Sequence, residues 1–203
     1  LEAREPSVID EAKPDVTRDM AVKTFSRRPD AAAQLSAEVA AVATLLTLPQ
    51  HPNIVEYRGA FANADGSVSV VMELMDASLA GRVLSEADVE KVADGVEAAL
   101  AFLHSGDVML VHNDVKPGNI LVRGSDFGGV RLCDFGSSAS LCADGTTMVS
   151  RGSMMYMSPA RVRGESYGPS SDRFALGVTL VELLTGRHPF AAIVAGVASP
   201  EER

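Results

Sequence analysis

The spacing of hydrophobic residues changes near residue 75, and this change constrains the fold of the chain more than any other feature. Before it, residues 19–25, 54–61 and 68–75 form short or alternating apolar runs, which are typical of strands. After it, apolar residues recur every three or four positions, as they do on one face of a helix. The sequence therefore predicts an α+β protein in which a small β-rich part precedes a mainly helical part, with a joint near residues 73–79.

Longer segments with helical spacing occur in both parts. Residues 31–48 are rich in alanine and leucine, and Pro49 ends their pattern. Ser85 and Asp88 form a capping box at the start of a second predicted helix, which continues with an apolar face. Residues 171–185 are apolar on nearly all sides, and this composition predicts a helix that is buried.

The composition excludes several classes of protein. With 46% hydrophobic residues among 203, the chain can form a packed core and is not intrinsically disordered. Its formal net charge of −9 argues against nucleic acid or an anionic membrane as a partner. No apolar run approaches the roughly 20 residues that a membrane-spanning helix needs. The cysteines, Cys133 and Cys142, indicate a reducing compartment, and we expect a cytoplasmic location.

Three groups of polar residues lie among these elements. Lys23 falls inside the first predicted strand. Residues 112–119, His-Asn-Asp-Val-Lys-Pro-Gly-Asn, follow an apolar segment and are too polar for the core of a strand. Asp134 opens an Asp-Phe-Gly sequence after another short strand. Each group alone is a weak signal, but all three rarely arise by chance in this order and with this spacing.

In this order, the three groups resemble the signature of eukaryotic-type protein kinases of the serine/threonine class. Residues 152–160 resemble the end of a kinase activation segment, and residues 171–177 resemble the start of the long helix at the centre of the kinase C-lobe. Residues 71–76 and 156–159 are most similar to MAP-kinase-kinase (STE)-like enzymes. The resemblance covers nearly the whole chain and implies a two-lobed kinase fold.

The resemblance implies a boundary between the two lobes. Residues 1–75 would form a small β-rich N-lobe with one long helix, and residues 76–203 would form a mainly helical C-lobe that is truncated and lacks its final helices. Residues 1–7 occupy the place of the glycine-rich loop that covers the phosphates in the family, yet the first glycine is Gly59. Either this loop is absent or degenerate, or the chain is a fragment whose natural N-terminus lies further upstream.

The resemblance also implies ATP-dependent phosphoryl transfer to a protein hydroxyl, with roles for individual residues. Asp114 would accept the proton of the attacking hydroxyl, and Lys116 would reach the γ-phosphate. Lys23 would hold the α- and β-phosphates, with Glu38 as its partner on the long helix. Counting back from residues 51–54 places that partner near Ala41 instead, so both positions stay open.

ATP and Mg²⁺ are the cofactors that the resemblance implies. Asn119 and Asp134 would bind Mg²⁺ through oxygen atoms. Adenine would lie between the apolar side chains of Val8, Ala21, Met72 and Leu121. Its edge would bond to backbone groups of Glu73 and Met75, in the hinge between the lobes. The same apolar residues are equally compatible with a place in the core, because pockets and cores share their composition.

Two residues depart from the family pattern near the catalytic aspartate. Asn113 replaces the arginine that normally precedes it, and Ala160 replaces the glutamate that closes the activation segment. In the family that arginine binds a phosphate on the activation segment. Because asparagine carries no charge, we expect phosphorylation to order the segment poorly at the candidate sites Thr146, Thr147 and Ser150.

Three functions remain open from the sequence. The first is an active serine/threonine kinase of a signalling cascade, whose protein substrate could itself be a kinase. The second is a catalytically impaired pseudokinase or scaffold, favoured by the missing glycines, Asn113 and Ala160. The third is a small-molecule phosphotransferase of the aminoglycoside or choline kinase type, against which Lys116 and residues 152–177 argue. The intact polar groups favour the first.

Overall fold

The computed structural model describes residues 20–25, 32–124, 127–149 and 151–191. The expectations for residues 1–7, Val8 and Ser150 concern positions outside these ranges.

The first part of the chain contains an antiparallel sheet and one long helix. Strands β1, β2 and β3 pair in the order β1-β3-β2 and span Met20–Phe25, Tyr57–Ala62 and Val68–Glu73. Ala21 lies opposite Met72 and Lys23 lies opposite Val70, so both β1 residues sit beside the central strand. Helix α1 (Ala32–Leu46) packs against β2 and places Ala41, Val42 and Glu38 in buried positions.

Strand β2 begins three residues later than its apolar run predicts. Ile54 forms an isolated bridge with Leu132, and the Val55 N–H donates to the Leu132 carbonyl over 3.0 Å. Both contacts reach into the second part of the chain. The apolar residues at the start of this run therefore join the two parts instead of extending the first sheet.

The second part begins with short strands. A three-stranded sheet has the order β4-β6-β7, and β5 pairs with β8. These strands are β4 (Ala77–Ser78), β5 (Leu110–Val111), β6 (Ile120–Val122), β7 (Arg131–Leu132) and β8 (Ala139–Ser140). The short pairs hold the polar segments between them in place, because residues 112–119 connect β5 to β6 and Asp134 follows β7.

Besides four short 3₁₀ helices, the second part contains three described α-helices: α2 (Glu86–Leu103), α3 (Pro159–Val162) and α4 (Ser170–Thr185). The predicted cap of α2 is present, with Ser85 Oγ accepting from the Asp88 N–H over 3.2 Å. Helix α4 packs against α2 and ends at Gly186, whose φ of 69° is left-handed. The prediction that α4 is buried on nearly all sides is wrong for one face, since Val181 and Leu184 are 43% and 42% exposed.

One main buried core runs through both parts. It extends from Val70 and Met72 in the first sheet, past Leu79, to Val96 and Leu100 of α2. The predicted succession of a β-rich part and a mainly helical part is confirmed, while the division at residues 75 and 76 stays a prediction. None of the described helices has the length and apolar character that crossing a membrane requires.

Candidate active site

The polar segment 112–119, here called the catalytic loop, is held at its start by a buried aspartate. Asp172 of α4 accepts the backbone N–H groups of His112 and Asn113, each over 2.8 Å, and contacts His104 Nε2 at 2.8 Å. Burial raises the pKa of Asp172, but these hydrogen bonds and the nearby imidazoles outweigh it and keep the pKa below its ordinary value. This role of Asp172 was not predicted from the sequence; the signal was an acidic residue in the first turn of a mostly apolar helix.

Asp114 is surrounded by groups that stabilise its ionised form. Its Oδ2 lies 2.8 Å from Lys116 Nζ and accepts from Asn119 Nδ2 over 2.9 Å, and its Oδ1 accepts from the Ser153 N–H over 2.7 Å. Burial raises the pKa of Asp114, yet Lys116 and Ser153 together lower it below its ordinary value. The side chain is therefore a carboxylate near neutral pH and can accept a proton or orient a hydroxyl group.

Gly152 allows Ser153 to reach this carboxylate. Its φ is 102°, and a Cβ built there would lie 2.3 Å from the Asn113 carbonyl oxygen. Any larger residue would therefore force apart the catalytic loop and the activation segment, defined here as residues 134–160. Asn113 is itself left-handed, with a φ of 69°, a conformation that asparagine tolerates better than most residues.

Lys23 joins three elements of the site. Its Nζ lies 2.9 Å from Glu38 Oε2 on α1 and 2.8 Å from Asp134 Oδ1 after β7. Burial lowers the pKa of Lys23, but hydrogen bonds and charge from Asp134 and Glu38 raise it above its ordinary value. Of the two positions left open, Glu38 is the one in contact with Lys23, whereas Ala41 is a core residue that is 3% exposed.

Asp134 is oriented by the turn that follows it. Its backbone conformation is left-handed, with a φ of 66°, and its Oδ1 also accepts from the Gly136 N–H over 3.3 Å. Phe135 is fully buried and packs edge-to-face against His112 at a centroid distance of 4.9 Å. This buried ring fixes the turn and therefore the direction of the neighbouring carboxylate.

Asn119 and Asp134 have the donor chemistry for Mg²⁺. Asn119 uses its Nδ2 to donate to Asp114, and this leaves its amide oxygen as a donor to a metal. Asp134 Oδ2 makes no hydrogen bond to any residue in the described ranges. No group of three or more His, Cys, Asp and Glu side chains suited to a metal occurs among those residues. Two oxygen ligands nevertheless fit Mg²⁺, which commonly completes its shell with water and substrate phosphates.

The predicted adenine residues in the described ranges belong to the first sheet, to the segment that follows it and to strand β6. Ala21 faces Met72 across β1 and β3, Leu121 is on β6, and Met72 and Met75 are nearly buried. The Met75 N–H makes no hydrogen bond within the described part of the chain and is thus a donor for a ligand. Val8 lies outside the described residues.

The side chain of Glu73 has contacts that were not predicted from the sequence. Its carboxylate lies 2.5 Å from Arg131 Nη1 and 3.1 Å from Arg123 Nη2, and it accepts from the Glu56 N–H over 2.8 Å. Arg123 also donates to the Leu74 carbonyl over 2.8 Å. These bonds fix the backbone that leads from β3 to Met75, where the adenine contacts are predicted.

The sequence matches one known family and several known proteins. The profile of the protein kinase domain family matches residues 7–197. A mitogen-activated protein kinase kinase of Aspergillus fumigatus is 38% identical over 152 residues, which are 69% of this chain and 29% of that protein. A MAP kinase kinase of Schizosaccharomyces pombe is 38% identical over 151 residues, with coverage of 68% and 40%. Mitogen-activated protein kinase kinase kinase 3 of Homo sapiens is 36% identical over 191 residues, with coverage of 87% and 30%.

The chain belongs to the protein kinase domain family. Its α+β, two-lobed fold class and its similarity to serine/threonine and MAP-kinase-kinase-like kinases are thereby confirmed. The chain spans less than half the length of each of these relatives.

Proposed function

We propose that this chain is an ATP-dependent serine/threonine protein kinase domain that acts in a signalling cascade. The proposal rests mainly on one observation, that Lys23 forms ion pairs with both Glu38 and Asp134. In protein kinases the equivalent lysine–glutamate pair and the metal-binding aspartate must both be in place for transfer. The similarity to MAP kinase kinases supports a protein substrate, which could itself be a kinase.

Each polar group has a distinct task in the proposed reaction. The hydroxyl oxygen of the acceptor forms a bond to the γ-phosphorus as the bond to the β–γ bridging oxygen breaks, and ADP leaves. Asp114 accepts the proton of that hydroxyl, while Lys116 and Lys23 balance charge on the phosphate oxygens. When bound at Asn119 and Asp134, Mg²⁺ supplies further neutralisation of the phosphates.

The alternative function is a catalytically impaired module that binds partners. Asn113 favours it, because the family's charged residue is missing and Asn113 Oδ1 is buried without a hydrogen-bond partner in the described ranges. Ala160 also lacks the carboxylate expected at the end of the activation segment. The ionised Asp114 and its intact neighbours favour the active enzyme.

Stabilisation by Mg-ATP tests the proposed nucleotide site. We expect Mg-ATP to raise the melting temperature, and ATP with EDTA to raise it much less, because Asn119 and Asp134 supply metal ligands. At about 100 times its Kd, a ligand contributes about 2.7 kcal/mol of stability. Asp134→Asn should remove most of the magnesium-dependent shift, as measured by thermal unfolding together with transfer of labelled γ-phosphate.

Asp94→Asn provides the control, because Asp94 is an exposed carboxylate on α2 that is distant in sequence from the site residues. It should show the magnesium-dependent shift of the unchanged chain. A shift that does not depend on magnesium, or one that Asp134→Asn retains in full, would contradict the metal assignment. Transfer of phosphate to a small alcohol but to no protein would instead favour the phosphotransferase alternative.

A further inference from the structure

A buried arginine lies directly beside the catalytic loop. Arg161 of α3 is only 4% exposed, and its Nη1 donates to the Asn113 carbonyl over 2.9 Å. Its Nη2 donates to the Arg151 carbonyl in the activation segment. One guanidinium group therefore connects two segments that are far apart in sequence.

The charge of Arg161 has no acidic partner within ion-pair distance in the described parts of the chain. Its Nε is buried without a hydrogen-bond acceptor there, and the guanidinium lies over the ring of Tyr167, 5.1 Å from the centroid. A buried cation without a carboxylate is costly unless dipoles and hydrogen bonds compensate for the lost water. Here two backbone carbonyls and an aromatic face supply that compensation.

The two carbonyls belong to the segments that position Asp114. Asn113 immediately precedes it, and Arg151 precedes Gly152 and Ser153, whose N–H donates to Asp114 Oδ1. A change in the separation of these segments would therefore move the carboxylate relative to its N–H donor. The planar guanidinium suits this bridge, because its N–H groups have a fixed fork geometry.

Position 113 cannot supply such a cation. Asn113 Nδ2 donates to the Ser137 carbonyl over 3.1 Å, which is a neutral contact near the start of the activation segment. Thr147, further along that segment, already pairs through its backbone with Tyr167, with hydrogen bonds of 2.8 and 3.0 Å. The activation segment is therefore linked to Tyr167, whose ring lies against Arg161, and this link involves no phosphate group.

We propose that Arg161 is a positioning residue that holds the catalytic loop against the activation segment and that makes this arrangement independent of phosphorylation. The inference rests on the proposed kinase function, since it assigns to Arg161 the alignment of Asp114. Where the family's arginine would bind a phosphate, this contact from α3 uses two backbone carbonyls instead. Arg161 reaches the residue before Asp114 from a position 48 residues further along the chain than Asn113.

Substitutions at Arg161 test this role, with Arg163 as the matched control. Arg163 lies directly after the same short helix, is exposed and pairs with Glu165. We expect Arg161→Gln to lower kcat by about 10- to 100-fold, which is the effect of misplacing a catalytic group by about 1 Å. Arg161→Lys should restore only part of this loss, because an ammonium group lacks the fork geometry. KM for ATP should change less than about twofold for either variant, because neither carbonyl belongs to the nucleotide residues.

Hydrogen exchange provides a measurement that does not need activity. Arg161→Gln should speed exchange of the amides at residues 113–114 and 152–153, while the amides of α2 keep their protection; Arg163→Gln should leave both unchanged. If the unchanged chain transfers no phosphate, the proposed function fails, and these amides still report on Arg161. Unaltered exchange at both sites would overturn the inference. The inference would also be overturned if both Arg161 variants sped exchange in α2 as much as at residues 113–114 and 152–153, because Arg161 would then stabilise the core as a whole.

Substitution of the candidate phosphorylation sites tests whether the arrangement is independent of phosphorylation. Replacing Thr146, Thr147 and Ser150 together by alanine should change kcat less than about threefold, because the bridge from Arg161 contains no phosphate. A loss as large as that of Arg161→Gln would show that a phosphorylated residue and another cation align the loop.

Discussion

Replacing Asp114 by asparagine is expected to abolish phosphoryl transfer while it leaves Mg-ATP binding nearly intact. The new amide can still accept from the Ser153 N–H, but it cannot take the proton of the acceptor hydroxyl. Its nitrogen would also face the donors of Lys116 and Asn119, which now bond to Oδ2. Loss of a positioned general base lowers the rate by about 10²- to 10⁴-fold. Single-turnover transfer and Mg-ATP titration measure the two properties separately.

A matched aspartate provides the control for this substitution. Asp107 is exposed in the turn that follows α2, so Asp107→Asn changes the net charge equally without touching the site. It should keep both binding and transfer. The role assigned to Asp114 is wrong if Asp114→Asn phosphorylates a protein substrate at the rate of the unchanged chain.

Replacing Lys23 by methionine is expected to remove transfer and to destabilise the fold at neutral pH. The side chain of Glu38 is fully buried and Lys23 is its cationic partner, whereas Asp134 is 31% exposed and can reach water. A buried charged group without its partner costs more than the roughly 1–3 kcal/mol of an unpaired neutral polar group. The double variant Lys23→Met/Glu38→Gln should regain stability, because a buried amide needs no counter-charge, but it should stay inactive because the phosphates lose their cation.

The pH dependence of the Lys23→Met variant has a definite sign. Burial raises the pKa of Glu38, and in the unchanged chain Lys23 opposes that rise. Without Lys23, the pKa in the folded state lies further above that in the unfolded state, so the folded chain binds the proton more tightly. The variant's stability should therefore fall as pH rises through the raised pKa, and its deficit should shrink in acid. Urea unfolding across this range measures it, and a double variant no more stable than the single one would contradict the pairing.

Local patterns in the sequence predicted most elements because their physical causes are local. The cap at Ser85 and the apolar positions of α2 depend on neighbours within one or two turns, and the structure shows both. The mismatches occur where distant partners intervene. Residues 54–56 pair with the segment around Leu132 instead of extending β2. Helix α4 buries Val178 and Leu183 but not Val181, because only one face meets the described core.

The sequence alone determined the class of site, because the chemistry of Lys23, Asp114, Asn119 and Asp134 and their order along the chain need no coordinates. It could not choose between two helix positions as the partner of Lys23, since they lie on neighbouring parts of one helical face.

Only the tertiary structure decided which groups meet. Lys23 contacts Asp134 across 111 positions, and Arg161 contacts the residue before Asp114 across 48. Asp172 binds the catalytic loop from a helix that is about 60 residues away. No local period encodes such contacts. They arise when burial of the common core brings separate segments together and each buried polar group must find a partner there.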